Sequence, residues 1–245
     1  MGDLPRKLKH DAIVEAIVEI QFDHETVGEV VVGKLASSEA WGGYQSVRLP
    51  IADFPAGLRD VDPNLRYQPT IQLQSPAPGE IVKIGSRVIS LHHLAPYDGW
   101  GGFSKRVDLL VDVLSTSISP VHITRTGLRY VNALTPAHGF ESIWDLDLTL
   151  EVRGERPSPE FTTVYRSYGE DDLLAQVTVA APAFVSNLTV PNAVALVDID
   201  VSCRNPLGSS PPSDIRAWFK RAHDFEKQAF FSLWPDEKIK VLEEQ

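Results

Sequence analysis

A single cysteine, Cys203, occurs in 245 residues. With one thiol no disulfide can close within the chain and no cysteine-based zinc site can assemble, so a reducing compartment is the expectation. Long apolar runs are missing as well. No stretch approaches the roughly 20 residues that span a bilayer, each candidate being broken by Glu, Asp or Gly. Arg6, Lys7 and Lys9 precede an alternating stretch with Glu15 and Glu19, where an export signal would carry its apolar centre. Gly2 does not begin a myristoylation motif, because Arg6 stands where Ser or Thr is needed. Asn187-Leu188-Thr189 has the form of a glycosylation triplet, which has no consequence without secretion. Together these absences predict a soluble, cytoplasmic protein that does not engage a membrane.

Basic charge is in short supply. The 33 acidic and 23 basic side chains leave a net charge of −10, which opposes general binding to nucleic acid or anionic lipid and favours a basic protein partner. The Walker phosphate loop, the GxGxxG fingerprint, the GxSxG nucleophile elbow and the HExxH zinc motif are all absent. The sequence therefore assigns no catalytic residue, no metal ligand and no cofactor. Its apolar fraction of 43% is enough for a core and excludes disorder.

What is present is alternation. Residues 12–22 place Val14, Ala16, Val18, Ile20 and Phe22 on one side of an extended chain, with Glu15, Glu19 and Gln21 on the other. Residues 24–35 carry Val27, Val31 and Leu35 at helical spacing. Strands are predicted over residues 44–50, 69–75 and 80–91, separated by turns such as Ala77-Pro78-Gly79. From Gly101 the period changes, and Phe103, Val107, Leu110 and Leu114 share a helix face up to Pro120. Residues 121–134 form a long strand, interrupted at Gly127 by a bulge or a close backbone approach.

The sharpest alternation sets Leu146, Leu148, Leu150 and Val152 inward against Asp145, Asp147, Thr149 and Glu151, predicting a strand. Further strands are expected over residues 161–168, 173–180 and 193–203, as a second sheet or an extension of the first. After a loop over residues 205–212, Ser213 is placed to cap a long helix with Ile215, Phe219, Ala222, Phe225, Ala229 and Leu233 on one face. Pro235 ends it, and a short turn follows. The expected fold class is α+β. A largely antiparallel sheet would be built in two strand-rich halves, residues 1–135 and 136–245, with helices on one face and a long C-terminal amphipathic helix. The halves are expected to pack as one unit over residues 1–245. Both run from strands to a helix, without a residue-level repeat.

Four phrases carry a resemblance: AIVEAIVEIQF over residues 12–22, APYDGWGGF over 95–103, GLRYVNAL over 127–134 and HDFEKQAFF over 223–231. Across nearly its whole length the chain resembles a sporadically distributed family of prokaryotic proteins of about this size. The resemblance implies an intracellular prokaryotic protein and supplies no activity, cofactor or catalytic residue.

Candidate binding residues come from two places. Arg125 and Arg129 fall on one side of their strand, with Gly127 between them, and two guanidinium forks about 7 Å apart suit a carboxylate or phosphate. The bland alternative pairs each arginine with a nearby carboxylate. Tyr97 and Trp100 lead into the middle helix and would either line a ligand pocket or anchor the loop on the sheet. His92 and His93 are adjacent on a strand, point to opposite faces and cannot jointly hold one metal. Asp198 and Asp200 share one strand side, and Asp145, Asp147 and Glu151 another, as acidic solvated faces. His223 and Glu226 are one turn apart on the last helix, where an exposed or edge-packed histidine is expected. Cys203 ends a strand as an inert thiol.

Two functions follow as expectations. One is a non-catalytic protein-binding or regulatory protein that recognises a basic partner. The other is a sensor or unrecognised enzyme that grips an anionic small molecule or nucleotide with Arg125, Arg129, Tyr97 and Trp100. Homo-oligomerisation is a further expectation.

Overall fold

The alternation in residues 12–22 becomes the middle of a sheet. In the computed structural model, which describes residues 10–182, 190 and 192–243, that segment is β1 (Ile13–Asp23). Gly2 and the Asn187-Leu188-Thr189 triplet lie outside the described residues. Ala16, Val18, Ile20 and Phe22 are fully buried beneath the helices, while Glu15, Ile17, Glu19 and Gln21 look the other way. A register shift between Ile13 and Glu15 turns Val14 out of the main core into a small apolar group with Val131, Ala133 and Leu196.

The chain continues through α1 (Gly28–Ala36), β2 (Gln45–Arg48), α2 (Ala56–Val61), β3 (Ile71–Gln74), β4 (Glu80–Ile84), β5 (Val88–Leu94) and α3 (Trp100–Ser117). The second half holds β6 (His122–Leu134), β7 (Phe161–Tyr168), β8 (Leu173–Ala181), β9 (Ala195–Cys203), α4 (Pro212–Phe231) and α5 (Asp236–Glu243). All nine strands join one antiparallel sheet in the order β2-β3-β4-β5-β1-β6-β9-β8-β7. The second half therefore extends the first sheet. Read outward from the β1/β6 junction, β5, β4 and β3 correspond to β9, β8 and β7, and α3 corresponds to α4. The loose parallel between the halves is thus a topological two-fold, with β2 unmatched.

Helices α1, α3 and α4 pack on one face, against β4, β5, β6, β8 and β9. Among the described residues no helix packs on the opposite face. Among the described residues no helix is long and apolar enough to cross a membrane.

Four local expectations are corrected. Residues 80–91 do not form one strand: Gly85 turns the chain between β4 and β5, where a Cβ would come 2.6 Å from the Gln68 carbonyl. Residues 146–152 are not a strand either. Ser142 and Asp145 cap a short 3-10 turn, the Asp147 amide donates to the Leu233 carbonyl, and Val152 is exposed. Leu146 is buried and Leu148 half-buried there without strand pairing among the described residues, and Asp145, Asp147 and Glu151 share no strand face. No bulge occurs at Gly127, which pairs in register with Glu19; the shift lies further along, between Gln21 and Phe22. Finally, α4 starts at Pro212 after Pro211, and the Ser213 hydroxyl bonds Asp214 instead of capping.

Candidate functional site

The period of two along β1, β6 and β9, together with the pairings Glu19 to Gly127 and Arg129 to Asp200, gathers charges on the uncovered face. Arg125 lies over Gly127, so close that a Cβ there would sit 2.6 Å from its Nη1. That is the close approach the glycine permits. The guanidinium donates to Glu19 at 3.0 Å and to Asp200 at 2.9 Å. Arg129 binds Asp198 through both carboxylate oxygens, at 2.7 and 2.5 Å. Beside them His92 Nδ1 bonds Glu15 at 2.8 Å and its Nε2 bonds Ser90 at 3.0 Å. The bond from His92 holds the Glu15 carboxyl below its ordinary value. Burial lifts the Asp200 carboxyl, overriding the pull of Arg125 and Arg129.

Arg125 and Arg129 therefore share a face as the spacing predicts, but their donor forks are occupied by carboxylates. A free anion would have to displace Glu19, Asp198 and Asp200 from them.

Tyr97 and Trp100 lie on the other side of the sheet, under the helices. Residues 95–99 turn sharply into α3, with Gly99 at φ +88 just before its first residue. The Tyr97 and Tyr130 hydroxyls are 2.9 Å apart, and Tyr130 reaches His223 Nδ1 at 3.4 Å. Trp100 stacks on the His223 ring at 4.2 Å with the planes 7° from parallel. Phe103 and His93 close the sides of Tyr97. Glu226, one turn beyond His223 on α4, is also inside. Of the exposed and edge-packed alternatives for His223 the second holds: it is half-buried, stacked on Trp100 and beside Tyr130.

Burial pushes the Glu226 carboxyl up to about 8 and the His223 imidazole down to about 4. It raises both tyrosines as well. All four groups are thus held uncharged near neutral pH, and a hydrogen-bond chain links the two tyrosines to His223. Three separate segments of the sequence supply this cluster: Tyr97, Trp100 and Phe103 from one, Tyr130 from another, His223 and Glu226 from the third. Only the convergence of those segments could have marked Glu226 in the sequence.

Trp100 also walls a groove of about 330 Å³ between α3 and α4, floored by Val107 and Phe219 with Arg216 and Lys220 at its rim. Arg216 is tied to Asp108 and Asp112. Lys220 has no ion pair among the described residues. Cys203 accepts the Thr126 amide at 3.4 Å and takes part in neither cluster. Among the described residues no group of three or more His, Cys, Asp or Glu side chains is placed to hold a metal ion.

The sheet thus separates the four residues singled out from the sequence into two places. Arg125 and Arg129 form a charge lattice on the open face; Tyr97 and Trp100 belong to the covered titratable cluster. No protein-family model matches the chain, and no curated protein matches it.

Proposed function

We propose that the chain is a non-catalytic binding or regulatory protein that receives a basic protein partner on the uncovered face of its sheet. The supporting observation is a charge excess at the centre of that face. Glu15, Glu19, Asp198 and Asp200 outnumber Arg125 and Arg129 on β1, β6 and β9 by two, with His92 and Lys83 from the neighbouring strands acting on Glu15. Lysine or arginine side chains from a partner would complete the lattice, and the overall charge of −10 would steer them to it. No cofactor and no catalytic residue enter this reading.

Affinity purification from the native host at moderate salt is expected to recover a stoichiometric basic protein. Asp198→Asn combined with Asp200→Asn should weaken the complex by about tenfold or more. Recovery of the bare chain, or equal recovery by the double variant, counts against the reading.

A second reading, an anionic small-molecule sensor, moves away from Arg125 and Arg129 because their donors are occupied. It rests on the α3/α4 groove, where Trp100 offers a flat wall and Lys220 is without an ion pair among the described residues. Flat aromatic carboxylates are expected to raise the thermal midpoint of the wild type and not that of Lys220→Ala. Equal shifts in both would remove this site.

A further inference from the structure

Among the described residues β7 ends the sheet and pairs on one side only, with β8, in unbroken register from Phe161 opposite Ala181 to Tyr168 opposite Leu174. The Gly169 amide donates to the Leu173 carbonyl at 3.0 Å, which marks that position as a hydrogen-bonded pair. Such pairs alternate along an antiparallel ladder. The backbone groups of Thr163, Tyr165 and Ser167 therefore point to β8, and those of Thr162, Val164, Arg166 and Tyr168 point out of the sheet. No backbone hydrogen bond satisfies these outward groups among the described residues. Their side chains are exposed, Val164 by 55% and Tyr168 by 63%.

Native sheets usually guard an edge with proline, charge, a bulge or brevity. The far edge is guarded in these ways: β2 has four residues, ends in Arg48 bound to Asp53, and is followed closely by Pro50. β7 has eight residues, no proline, no bulge and no carboxylate, and Arg166 is its one charge.

We propose that β7 is a self-association edge, on which a second copy of this chain adds its own β7 antiparallel, joining two nine-stranded sheets into one. In a chain of net charge −10, β7 offers two copies a stretch free of acid, and the register centred on Tyr165 brings carboxylates together only beyond its ends, Glu160 opposite Glu170. The two-fold must pass through a residue, because a one-residue slip would set the helix face of one copy against the open face of the other. Centred on Tyr165, the register pairs Thr162 with Tyr168, Thr163 with Ser167, Val164 with Arg166 and Tyr165 with itself. All four outward residues are then used, giving about eight interchain hydrogen bonds, against about six if the axis passes through Val164. The two Arg166 side chains meet only across a diagonal of about 7–8 Å in water, a screened repulsion that two further backbone hydrogen bonds outweigh. On the covered side Phe161 and Tyr165 pack partly against the core, so pairing continues the apolar layer from one copy to the next.

Sedimentation of the full chain at micromolar concentration is expected to show a reversible dimer of the 27.1 kDa chain. Val164→Pro removes an amide hydrogen that no described residue accepts, so it should leave the unfolding midpoint unchanged and weaken self-association more than about tenfold. With Cys203→Ser as background, Tyr165→Cys places two thiols at a non-hydrogen-bonded pair, whose spacing of about 4.5 Å between Cα atoms suits a disulfide. It should cross-link on mild oxidation far faster than Val164→Cys. If Tyr165→Cys folds poorly, Thr163→Cys with Ser167→Cys reads the same register. A wild type that sediments as one chain, or a dimer that survives Val164→Pro, overturns the proposal.

Discussion

Glu226→Gln is expected to raise the thermal midpoint at pH 8 by roughly 10 °C and to flatten the fall in stability between pH 6.5 and 8. The folded chain holds the Glu226 proton up to about pH 8, whereas the unfolded chain releases it near 4.5. Between those values the unfolded state binds fewer protons, so stability falls as pH rises. Full ionisation across that gap corresponds to on the order of 5 kcal/mol, a large share of the stability of an ordinary domain. His223 acts in the opposite sense. Its folded value of about 4 lies below the ordinary 6.5, so its contribution is lost as pH falls through that window.

The two slopes oppose each other between pH 4.5 and 6.5, where the lowered His138 imidazole adds to the slope of His223. Above pH 6.5 only the Glu226 slope remains. The other groups coupled to this carboxyl are Tyr97 from the loop before α3, Tyr130 from β6 and Lys227 on α4. Both tyrosines are raised and stay protonated throughout. Thermal unfolding of wild type and Glu226→Gln from pH 5 to 8.5 measures the difference. Parallel profiles for the two proteins would mean that the carboxyl ionises without cost and that its burial is relieved in solution.

Glu226 also shows what the sequence could not convey. Strand positions were legible where a period of two met a real partner strand, as in β1, β7, β8 and β9. The same period misled at residues 146–152, because alternating leucines can be buried without a strand partner. Arg125 and Arg129 on one side, and Asp198 and Asp200 on one side, were both readable. Their mutual pairing was not, because it depends on β9 lying next to β6, a contact between distant segments. The covered cluster was hidden for a related reason. A histidine one turn from a glutamate on an amphipathic helix reads as exposed or edge-packed, and only the sheet below α4 shows that the glutamate is interior.

The tyrosine pair gives the second large effect. With His223 neutral, the arrangement that satisfies every group has Tyr97 donating to Tyr130 and Tyr130 donating to His223 Nδ1. Tyr130→Phe then removes the acceptor of one bond and the donor of the next, leaving the Tyr97 hydroxyl and the His223 nitrogen without partners under cover. Each orphaned group costs about 1–3 kcal/mol, so a loss of roughly 2–4 kcal/mol is expected from the deletion of one oxygen atom. Tyr97→Phe should cost less, near 1 kcal/mol, because Tyr130 keeps its bond to His223. In the double variant the orphan at position 97 no longer exists. Its cost should therefore fall below the sum of the single losses by about 1 kcal/mol, a coupling that denaturant unfolding of the four proteins resolves. Additive losses would show that the two hydroxyls act independently; equal single losses would reverse the direction of the chain, with His223 donating to Tyr130 through the other tautomer.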